Sequence, residues 1–282
     1  MKIFRQTFLN LFRLVIIVVA FFPVLAEAKN LSLKSSFAIV LDQKTGTVLY
    51  EKNSRKVVPI ASITKLMTAM VLLDSKPSLS KKIRIAKEDV DTLRGSRSRL
   101  PVGTRLTIKE MLRLALMSSE NRAASALSRN FPGGKKAFVK AMNRKARALK
   151  MGYTHFRDPT GLYRENVSSA RDLARLVSAA SKYPLIRRLT TTKSHQQQVG
   201  RHVLKFNNTN VLTKNPHWKI GLSKTGFINE SGKCLVMQTW LKRRPMIIVL
   251  LNSWGSLTPV GDSNRIKQWI SSISLADYQE QG

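Results

Sequence analysis

Residues 59–73 read PIASITKLMTAMVLL, an apolar stretch that carries a single lysine, Lys65. The stretch predicts a helix that begins near Ser62 and runs to about Leu73. Side chains three residues apart at the start of a helix share one face, so Ser62 and Lys65 can come within hydrogen-bond distance. A lone charge among so many apolar side chains needs a reason. The stretch therefore predicts a serine nucleophile with a lysine as its base.

Ser62-Ile63-Thr64-Lys65 is the first of three short sequence strings. The other two follow it along the chain, Ser119-Glu120-Asn121 and Lys224-Thr225-Gly226. Taken alone, Ser119 would be a helix cap. Beside the other strings, its hydroxyl is predicted to relay a proton to a leaving amine, while the amide of Asn121 orients the substrate. The third string lies on a predicted strand, where Gly226 would let a substrate backbone approach closely and Lys224 and Thr225 would bind its carboxylate or carbonyl.

A lysine base has to lose its charge before it can accept a proton. The ordinary pKa of lysine is near 10.4, so the site must lower the pKa of Lys65 by burial or through a neighbouring cation. Lys224 is the predicted cation. The helix N-terminus at Ser62 also favours negative charge on the attacking oxygen.

Each of the three patterns occurs a second time in the chain, and these copies act as internal controls. Ser78-Leu79-Ser80-Lys81 lies in a charged, Pro-containing stretch that is typical of a loop. Lys44-Thr45-Gly46 separates two apolar runs and predicts a hairpin turn. Ser128-Arg129-Asn130 predicts the end of a helix. Only one set of strings combines the required order with suitable contexts.

Residues 1–28 have the layout of a secretory signal: a basic n-region, an apolar run from Leu14 to Leu25, and the small-x-small site Ala26-Glu27-Ala28. The run is interrupted by Pro23 and is shorter than the roughly 20 residues that a spanning helix needs. We therefore expect cleavage after Ala28 and export. An uncleaved membrane anchor is the alternative.

The chain is strongly basic, with 49 Lys and Arg against 16 Asp and Glu and a formal net charge of +33. The basic residues are spread along the chain without a helix-turn-helix, zinc-finger or RNP-type string, so no nucleic-acid partner is predicted. A merely solvated surface is one interpretation. The other is that the charge holds the protein to the anionic cell-envelope surface in a salt-dependent way.

The cysteine and histidine content predicts neither a disulfide nor a metal site. Cys234 is the single cysteine, so it has no partner within the chain. It lies in a strand-like run and is predicted to be a buried structural thiol. The four histidines lack ligand spacing, and no metal or other cofactor is expected.

The predicted fold class is α+β, an antiparallel sheet flanked by helices with a mostly helical subdomain inserted. Strand patterns occur at both chain ends: a hairpin at residues 36–51, and a meander over Trp218 to Phe227, Cys234 to Leu241 and Met246 to Asn252. A final helix is predicted at about Ser263 to Ile273. The predicted domains are a signal peptide at 1–28 and one domain at 29–282, with a sheet subdomain (29–85 and 200–282) and a helical subdomain (86–199).

The three strings, together with Phe131-Pro132-Gly133-Gly134, Asp158-Pro159-Thr160-Gly161-Leu162 and Ser168-Ser169-Ala170-Arg171-Asp172-Leu173, resemble the low-molecular-mass penicillin-binding proteins. These are serine DD-peptidases with a β-lactamase-like fold, and the resemblance is strongest to the D-alanyl-D-alanine endopeptidase subgroup. It implies attack on the carbonyl of D-alanine in cross-linked peptidoglycan stem peptides, with β-lactams as covalent inhibitors.

Carried over to this chain, the resemblance implies a role for each matching residue. Ser62 would be the acylated nucleophile, Lys65 the base and Ser119 the proton relay. The substrate contacts would be Asn121, Lys224, Thr225 and Gly226, and the oxyanion hole would come from the backbone N–H groups of Ser62 and Phe227. Ser169 stands where relatives often carry threonine, a change expected to affect packing rather than chemistry.

Three alternatives to the endopeptidase remain. The chain ends 56 residues after Gly226, without space for the additional C-terminal β-domain of carboxypeptidase relatives; this favours the endopeptidase over a D-alanyl-D-alanine carboxypeptidase. A class A β-lactamase would need a glutamate between Asn121 and Lys224. Glu165 is the only one there, and the residues that follow it do not match the Glu-x-x-Leu-Asn pattern of such enzymes. A non-catalytic wall-binding protein is the alternative of a different class.

Overall fold

The computed structural model describes residues 31–274, so the predicted signal segment lies outside the described residues. No helix in the described part of the chain is long and apolar enough to cross a membrane. The helices are α1 (Thr64–Asp74), α2 (Ile108–Met117), α3 (Asn121–Arg129), α4 (Gly134–Ala148), α5 (Ala170–Ala180), α6 (Pro184–Thr191) and α7 (Thr258–Ser272). The strands are β1 (Phe37–Asp42), β2 (Val48–Lys52), β3 (Val58–Pro59), β4 (Lys82–Arg84), β5 (Arg105–Thr107), β6 (Val167–Ser168), β7 (Ser194–Val199), β8 (His202–Asn207), β9 (Ile220–Ile228), β10 (Gly232–Leu241) and β11 (Arg244–Ser253).

A five-stranded antiparallel sheet in the order β2-β1-β11-β10-β9 unites the two ends of the chain. The predicted N-terminal hairpin forms β1 and β2, and the predicted meander forms β9 to β11. β1 pairs with β11, with Ala38 opposite Leu250. Strand β9 is therefore the edge strand on the side away from the hairpin. The predicted antiparallel sheet is confirmed.

The sheet separates two apolar layers because alternate strand residues point to opposite faces. On one face, Ile39, Val236 and Val249 belong to the large core formed with helices α1 to α6. On the other face, Val40 and Ile248 pack into a smaller core against α7. The apolar positions predicted on the last helix, Ile266, Trp269, Ile270 and Ile273, belong to that smaller core.

Helix α1 is the central element of the large core. Its residues from Thr64 to Leu72 are all buried, and it packs against α2, α3, α4, α5 and α6. Helix α5 also contacts β1, β10 and β11, so it covers the sheet although it lies within the predicted helical subdomain. The β7–β8 hairpin crosses the subdomain boundary predicted at residues 199 and 200.

The repeated copies of the three strings adopt the structures predicted for them. Lys44-Thr45-Gly46 forms the turn between β1 and β2, with Gly46 at a φ of +81°. Ser128-Arg129-Asn130 coincides with the end of α3, where Asn130 is the C-cap. Ser78-Leu79-Ser80-Lys81 lies outside helices and strands, between α1 and β4.

Candidate active site

Ser62 lies in a 3₁₀ turn, Ala61–Ile63, that leads directly into α1. Ala61 has a φ of +46°, a left-handed conformation that is uncommon for a residue with a Cβ. We call residues 60–63 the nucleophile turn. Backbone from a loop and from a strand, both distant in the chain, packs against it, and both contacts involve glycine.

The first of these glycines is Gly161, with a φ of +82°, where a Cβ would lie 2.0 Å from the Ala61 carbonyl oxygen. The second is Gly226 on β9, where a Cβ would lie 2.9 Å from the Ile60 carbonyl oxygen. Gly226 was predicted to let a substrate backbone approach. In the structure its missing side chain lets β9 approach the nucleophile turn.

The Lys65 amine lies at the centre of the site. Its Nζ is 2.7 Å from Ser62 Oγ, 2.7 Å from Asn121 Oδ1 and 2.7 Å from the Thr160 carbonyl oxygen. The last two oxygens can only accept hydrogen bonds, so they occupy the two N–H groups of a neutral amine. The remaining lone pair then faces the Ser62 hydroxyl. The geometry fits a neutral lysine that accepts the Ser62 proton.

The electrostatic surroundings favour the neutral amine. Lys65 is 1% exposed, and burial lowers its pKa to about 7, although the Asp158 and Glu120 carboxylates act in the opposite direction. Burial, followed by the charge of Lys65, holds the pKa of Lys224 well below its usual range. The sequence-based expectation named Lys224 as the cation that acts on Lys65. In the structure, burial is what lowers the pKa of Lys65. Repulsion between the two lysines contributes instead to the lowered pKa of Lys224.

A second serine–lysine pair lies beside the first. Lys224 projects from β9, is 1% exposed, and donates from its Nζ to Ser119 Oγ at 3.0 Å and to the Thr225 carbonyl at 2.8 Å. Ser119 lies between α2 and α3 at a φ of +60°. Glu120, the N-cap of α3, accepts from the Arg122 N–H and fixes where this connection enters the helix.

The residues predicted to form the site surround one cleft of about 390 Å³. Ser62, Ser119 and Asn121 line it together with Thr225, Gly226 and Phe227, while the amines of Lys65 and Lys224 lie behind it. The Phe227 side chain is 52% exposed, and Lys233 Nζ lies 3.7 Å from the centre of its ring. The structure thus brings the three strings together at one surface. The individual catalytic roles stay predictions.

Thr160 and Asp158 were not predicted from their chemistry to be part of the site. The Thr160 carbonyl accepts from Lys65, and the buried Asp158 carboxylate organises the loop that presents it. Asp158 accepts from the backbone N–H groups of Thr160 at 2.8 Å and Gly161 at 3.1 Å, and it also contacts the Asn166 amide. The Asp-Pro-Thr-Gly pattern is typical of a turn, and this was the available signal.

Ser96 is a third residue that the sequence did not single out. Its Oγ accepts from Asn121 Nδ2 at 2.9 Å, which turns the amide oxygen of Asn121 toward Lys65. Asp91 holds the loop by accepting from the N–H groups of Leu93, Arg94 and Ser96. A serine in a polar loop has no distinctive sequence pattern, so only the structure reveals this contact.

Two residues weighed from the sequence are not placed for catalysis: Glu165 lies outside the cleft, whereas Cys234 lines it with a buried thiol. Glu165, the glutamate that a class A β-lactamase would require, is exposed on its loop. Cys234 is buried, as predicted, and burial raises the pKa of its thiol to about 11. The thiol therefore remains protonated and behaves as a structural group.

Comparison with known proteins agrees with this geometry. A family model described as D-alanyl-D-alanine carboxypeptidase matches residues 24–255. The D-alanyl-D-alanine endopeptidase of Pseudomonas aeruginosa is 51% identical over 240 residues, which cover 84% of this chain and 77% of the relative.

Solved structures share the fold. The DD-transpeptidase of Streptomyces K15 superposes with a TM-score of 0.79 at 27% identity, over 86% of this chain and 98% of the other. Penicillin-binding protein D2 of Listeria monocytogenes, solved in its cefotaxime-bound form, gives a TM-score of 0.73 at 26% identity, over 86% of this chain and 99% of the other. The predicted α+β, DD-peptidase-like fold is confirmed. The chain belongs to the peptidase S11 family of D-alanyl-D-alanine carboxypeptidases, and it is a serine DD-peptidase of the penicillin-binding protein type.

Proposed function

We propose that this protein is an endopeptidase that cleaves D-alanyl peptide bonds in peptidoglycan cross-bridges through an acyl-enzyme on Ser62. The observation that carries the proposal is the pair of buried Ser–Lys contacts at one cleft, Ser62 with Lys65 and Ser119 with Lys224. The endopeptidase specificity is supported by the name of the Pseudomonas relative at 51% identity.

Acylation begins with the neutral Lys65 amine. It accepts the Ser62 proton while Ser62 Oγ bonds to the D-alanyl carbonyl carbon, and the carbonyl oxygen takes the negative charge. The backbone N–H groups of Ser62 and Phe227 are the proposed donors to that oxyanion. As the C–N bond breaks, Ser119 donates its hydroxyl proton to the leaving amine and regains one from the Lys224 ammonium.

Deacylation reverses the proton positions. After acylation Lys65 is charged and Lys224 is neutral. Water attacks the ester, its proton passes through Ser119 to Lys224, and Ser62 Oγ leaves with the proton from Lys65. One proton thus alternates between the two amines, in keeping with a site whose burial lowers the pKa of both lysines.

The decisive experiment is chromatography of purified muropeptides incubated with the protein and, in parallel, with Ser62→Ala. We expect conversion of cross-linked dimers to monomers by the wild type alone. Trimming of pentapeptides without dimer cleavage would instead support a carboxypeptidase, the second candidate, which the family description favours. Absence of reaction in both proteins would leave a wall-binding protein.

β-Lactams are proposed to acylate Ser62 and to leave slowly. The Listeria protein was solved with cefotaxime bound. In the described residues of this chain, Glu165 is exposed and forms no hydrogen bond with Ser62 or Lys65. A water-activating glutamate is what a class A β-lactamase uses for rapid deacylation. Rapid turnover of nitrocefin by the pure protein would contradict this assignment.

Export to the periplasm, with cleavage after Ala28, and retention on the anionic envelope are also proposed. The signal-like layout of residues 1–28 and the net charge of +33 support them. N-terminal sequencing of extracted protein tests the first, because intact Met1 would exclude cleavage. Binding to isolated cell walls over a salt series tests the second, because retention that does not fall with salt would exclude it.

A further inference from the structure

A second cleft, of about 590 Å³, lies between α4 and the segment at residues 151–157. It shares no lining residue with the active site. Four cationic side chains line it: Lys140, Arg144, Arg147 and Arg157. No carboxylate is among its lining residues. We call it the cationic cleft.

The four cations approach the cleft from two sides. Lys140, Arg144 and Arg147 are spaced four and three residues apart, so they lie along one face of α4 over about 10 Å. Arg157 comes from the opposite wall, where its guanidinium lies 5.8 Å from the centre of the Tyr163 ring. All four side chains are exposed. An anion in the cleft would therefore meet positive charge from both walls.

The charges of the cleft have no ion-pair partner in the part of the chain that the structure describes. Among residues 31–274, none of the four forms an ion pair, whereas Lys145 on the same helix pairs with Asp74 at 2.6 Å. Like charges four residues apart on a helix repel each other and destabilise it. The stripe is thus unfavourable in the free protein, and a bound anion would relieve the repulsion.

Hydrogen bonds between its two walls fix the shape of the cleft. Asn143 Nδ2 donates to the Phe156 carbonyl at 2.8 Å, and Asn143 Oδ1 accepts from the Phe156 N–H at 2.9 Å. Phe156 and Met142 are fully buried beneath the cleft. These contacts fix the two walls relative to each other, so little ordering is needed before a ligand binds.

We propose that the cationic cleft binds a phosphate group, carried either by a soluble polyphosphate or by the headgroup of an anionic phospholipid. Because four positive side chains line the cleft, a ligand with several negative charges would balance them better than a ligand with a single carboxylate. Guanidinium groups form paired hydrogen bonds with phosphate oxygens, and a tetrahedral phosphate can face both walls at once. The assignment concerns a site separate from the peptidase chemistry.

The test compares two triple variants that remove the same charge. Lys140→Gln, Arg144→Gln, Arg147→Gln changes the cleft, and Lys44→Gln, Lys56→Gln, Lys76→Gln changes three exposed lysines elsewhere. Glutamine keeps helix propensity close to that of lysine and arginine. Both variants should retain penicillin acylation, which reports that they are folded.

Binding of tripolyphosphate is measured by calorimetry at fixed ionic strength. We expect the cleft variant to bind at least about tenfold more weakly, and the control to stay within about twofold of wild type. Tripolyphosphate should also raise the Tm of the wild type and of the control, but not of the cleft variant. Equal weakening in both variants would overturn the proposal, since the affinity would then reflect overall charge.

Two further probes define the chemistry and its source. Tricarballylate, which carries three carboxylates, should bind more weakly than tripolyphosphate, and equal binding would overturn the assignment to phosphate. Vesicles of phosphatidylglycerol are compared with vesicles of phosphatidylcholine. Binding to the former that depends on the cleft residues identifies a lipid headgroup as the source; cleft-dependent binding of tripolyphosphate without vesicle binding identifies a soluble phosphate.

Discussion

The chain contains the same Ser-x-x-Lys pattern twice, and the two copies have opposite environments. Ser62-Ile63-Thr64-Lys65 begins a buried helix, and Lys65 is 1% exposed with three oxygen partners at 2.7 Å. Ser78-Leu79-Ser80-Lys81 lies between α1 and β4, where Lys81 is exposed and Ser78 Oγ contacts Ser80 Oγ instead. The pattern is the same, but Lys65 is shielded from solvent and Lys81 is not.

The difference shows that spacing makes the Ser–Lys contact possible while burial makes the lysine a base. At the first copy, burial lowers the pKa of Lys65 to about 7. Solvent keeps an exposed lysine charged at neutral pH, so it cannot accept a proton. Substitutions that remove one of these features at a time should therefore make the first copy behave more like the second.

The largest effect is expected from removing the nucleophile. Ser62→Ala should abolish covalent labelling by a fluorescent penicillin, a loss of at least about 10⁴-fold, because Ser62 is the one residue among 31–274 whose hydroxyl forms a hydrogen bond with Lys65 Nζ. Ser78→Ala is the matched control and should label like the wild type. Labelling is followed by gel fluorescence over time. Residual labelling of Ser62→Ala that disappears in the double variant would assign reactivity to Ser78.

Removing the base comes next. Lys65→Met should slow acylation by about 10²- to 10⁴-fold, the usual contribution of a general base, whereas Lys81→Met should leave the rate unchanged. The measurement is the second-order rate constant for acylation by penicillin. A rate for Lys65→Met within about threefold of wild type would show that another group takes the Ser62 proton.

A methyl group beneath the nucleophile turn should misplace Ser62. At Gly161, the new Cβ would lie 2.0 Å from the Ala61 carbonyl oxygen, while Gly46, in the repeated Lys-Thr-Gly copy, has a similar φ of +81° and no atom within 4 Å. Gly161→Ala should therefore slow acylation by about 10²-fold, the cost of a misplaced reacting group.

The Gly46→Ala variant separates backbone strain from displacement of the turn. It should cost about 1–2 kcal/mol of folding free energy, the price of a left-handed alanine, without affecting acylation. Urea unfolding and penicillin acylation are measured on both variants. Equal acylation rates for the two alanine variants would show that Gly161 serves the conformation of its own loop alone.

The pH dependence follows from the neutral state of Lys65. With its pKa lowered to about 7, the base is neutral above that pH and protonated below it. Acylation should therefore rise with pH and fall about tenfold for each unit below the pKa of Lys65. The rate should fall again at higher pH, where the Lys224 ammonium that reprotonates Ser119 loses its proton. A penicillin that does not titrate in this range is used as the probe. The slope should vanish in Lys65→Met, and a wild-type rate independent of pH would contradict a lysine base.

The smallest effect is expected at Ser96. Ser96→Ala releases the Asn121 amide, so acylation should slow by about 2- to 10-fold as the oxygen that faces Lys65 loses its orientation. Ser96→Thr keeps the hydroxyl and should restore most of the rate. Ser98→Ala, in the same loop, is the control. If Ser96→Ala slows acylation and Ser96→Thr slows it equally, packing at this position rather than the hydroxyl group determines the rate.

Much of this site follows from the sequence because its side chains lie in short strings with strong local context. The apolar helix after Ser62 and the strand around Lys224 placed both lysines in buried elements. The Thr160 carbonyl and the Ser96 hydroxyl could not be predicted in the same way. A backbone acceptor leaves no mark in the residue type, and both contacts join segments far apart in the chain. Likewise, the packing of α5 on the sheet depends on tertiary contacts that a local pattern does not contain.

The nucleophile turn has a consequence for the order of events during folding. Its partners, Gly161 and Gly226, are distant in the chain, and Gly226 belongs to an edge strand formed near the C-terminus. The adjoining contact between Lys65 and the Thr160 carbonyl spans 95 residues. Contacts of such long range form late, because closing long loops costs entropy before the contacts repay it. A chain still unfolded or only partly assembled therefore has no activated serine. Labelling by penicillin counts only molecules that have folded completely, and its time course during refolding reports the last step of assembly.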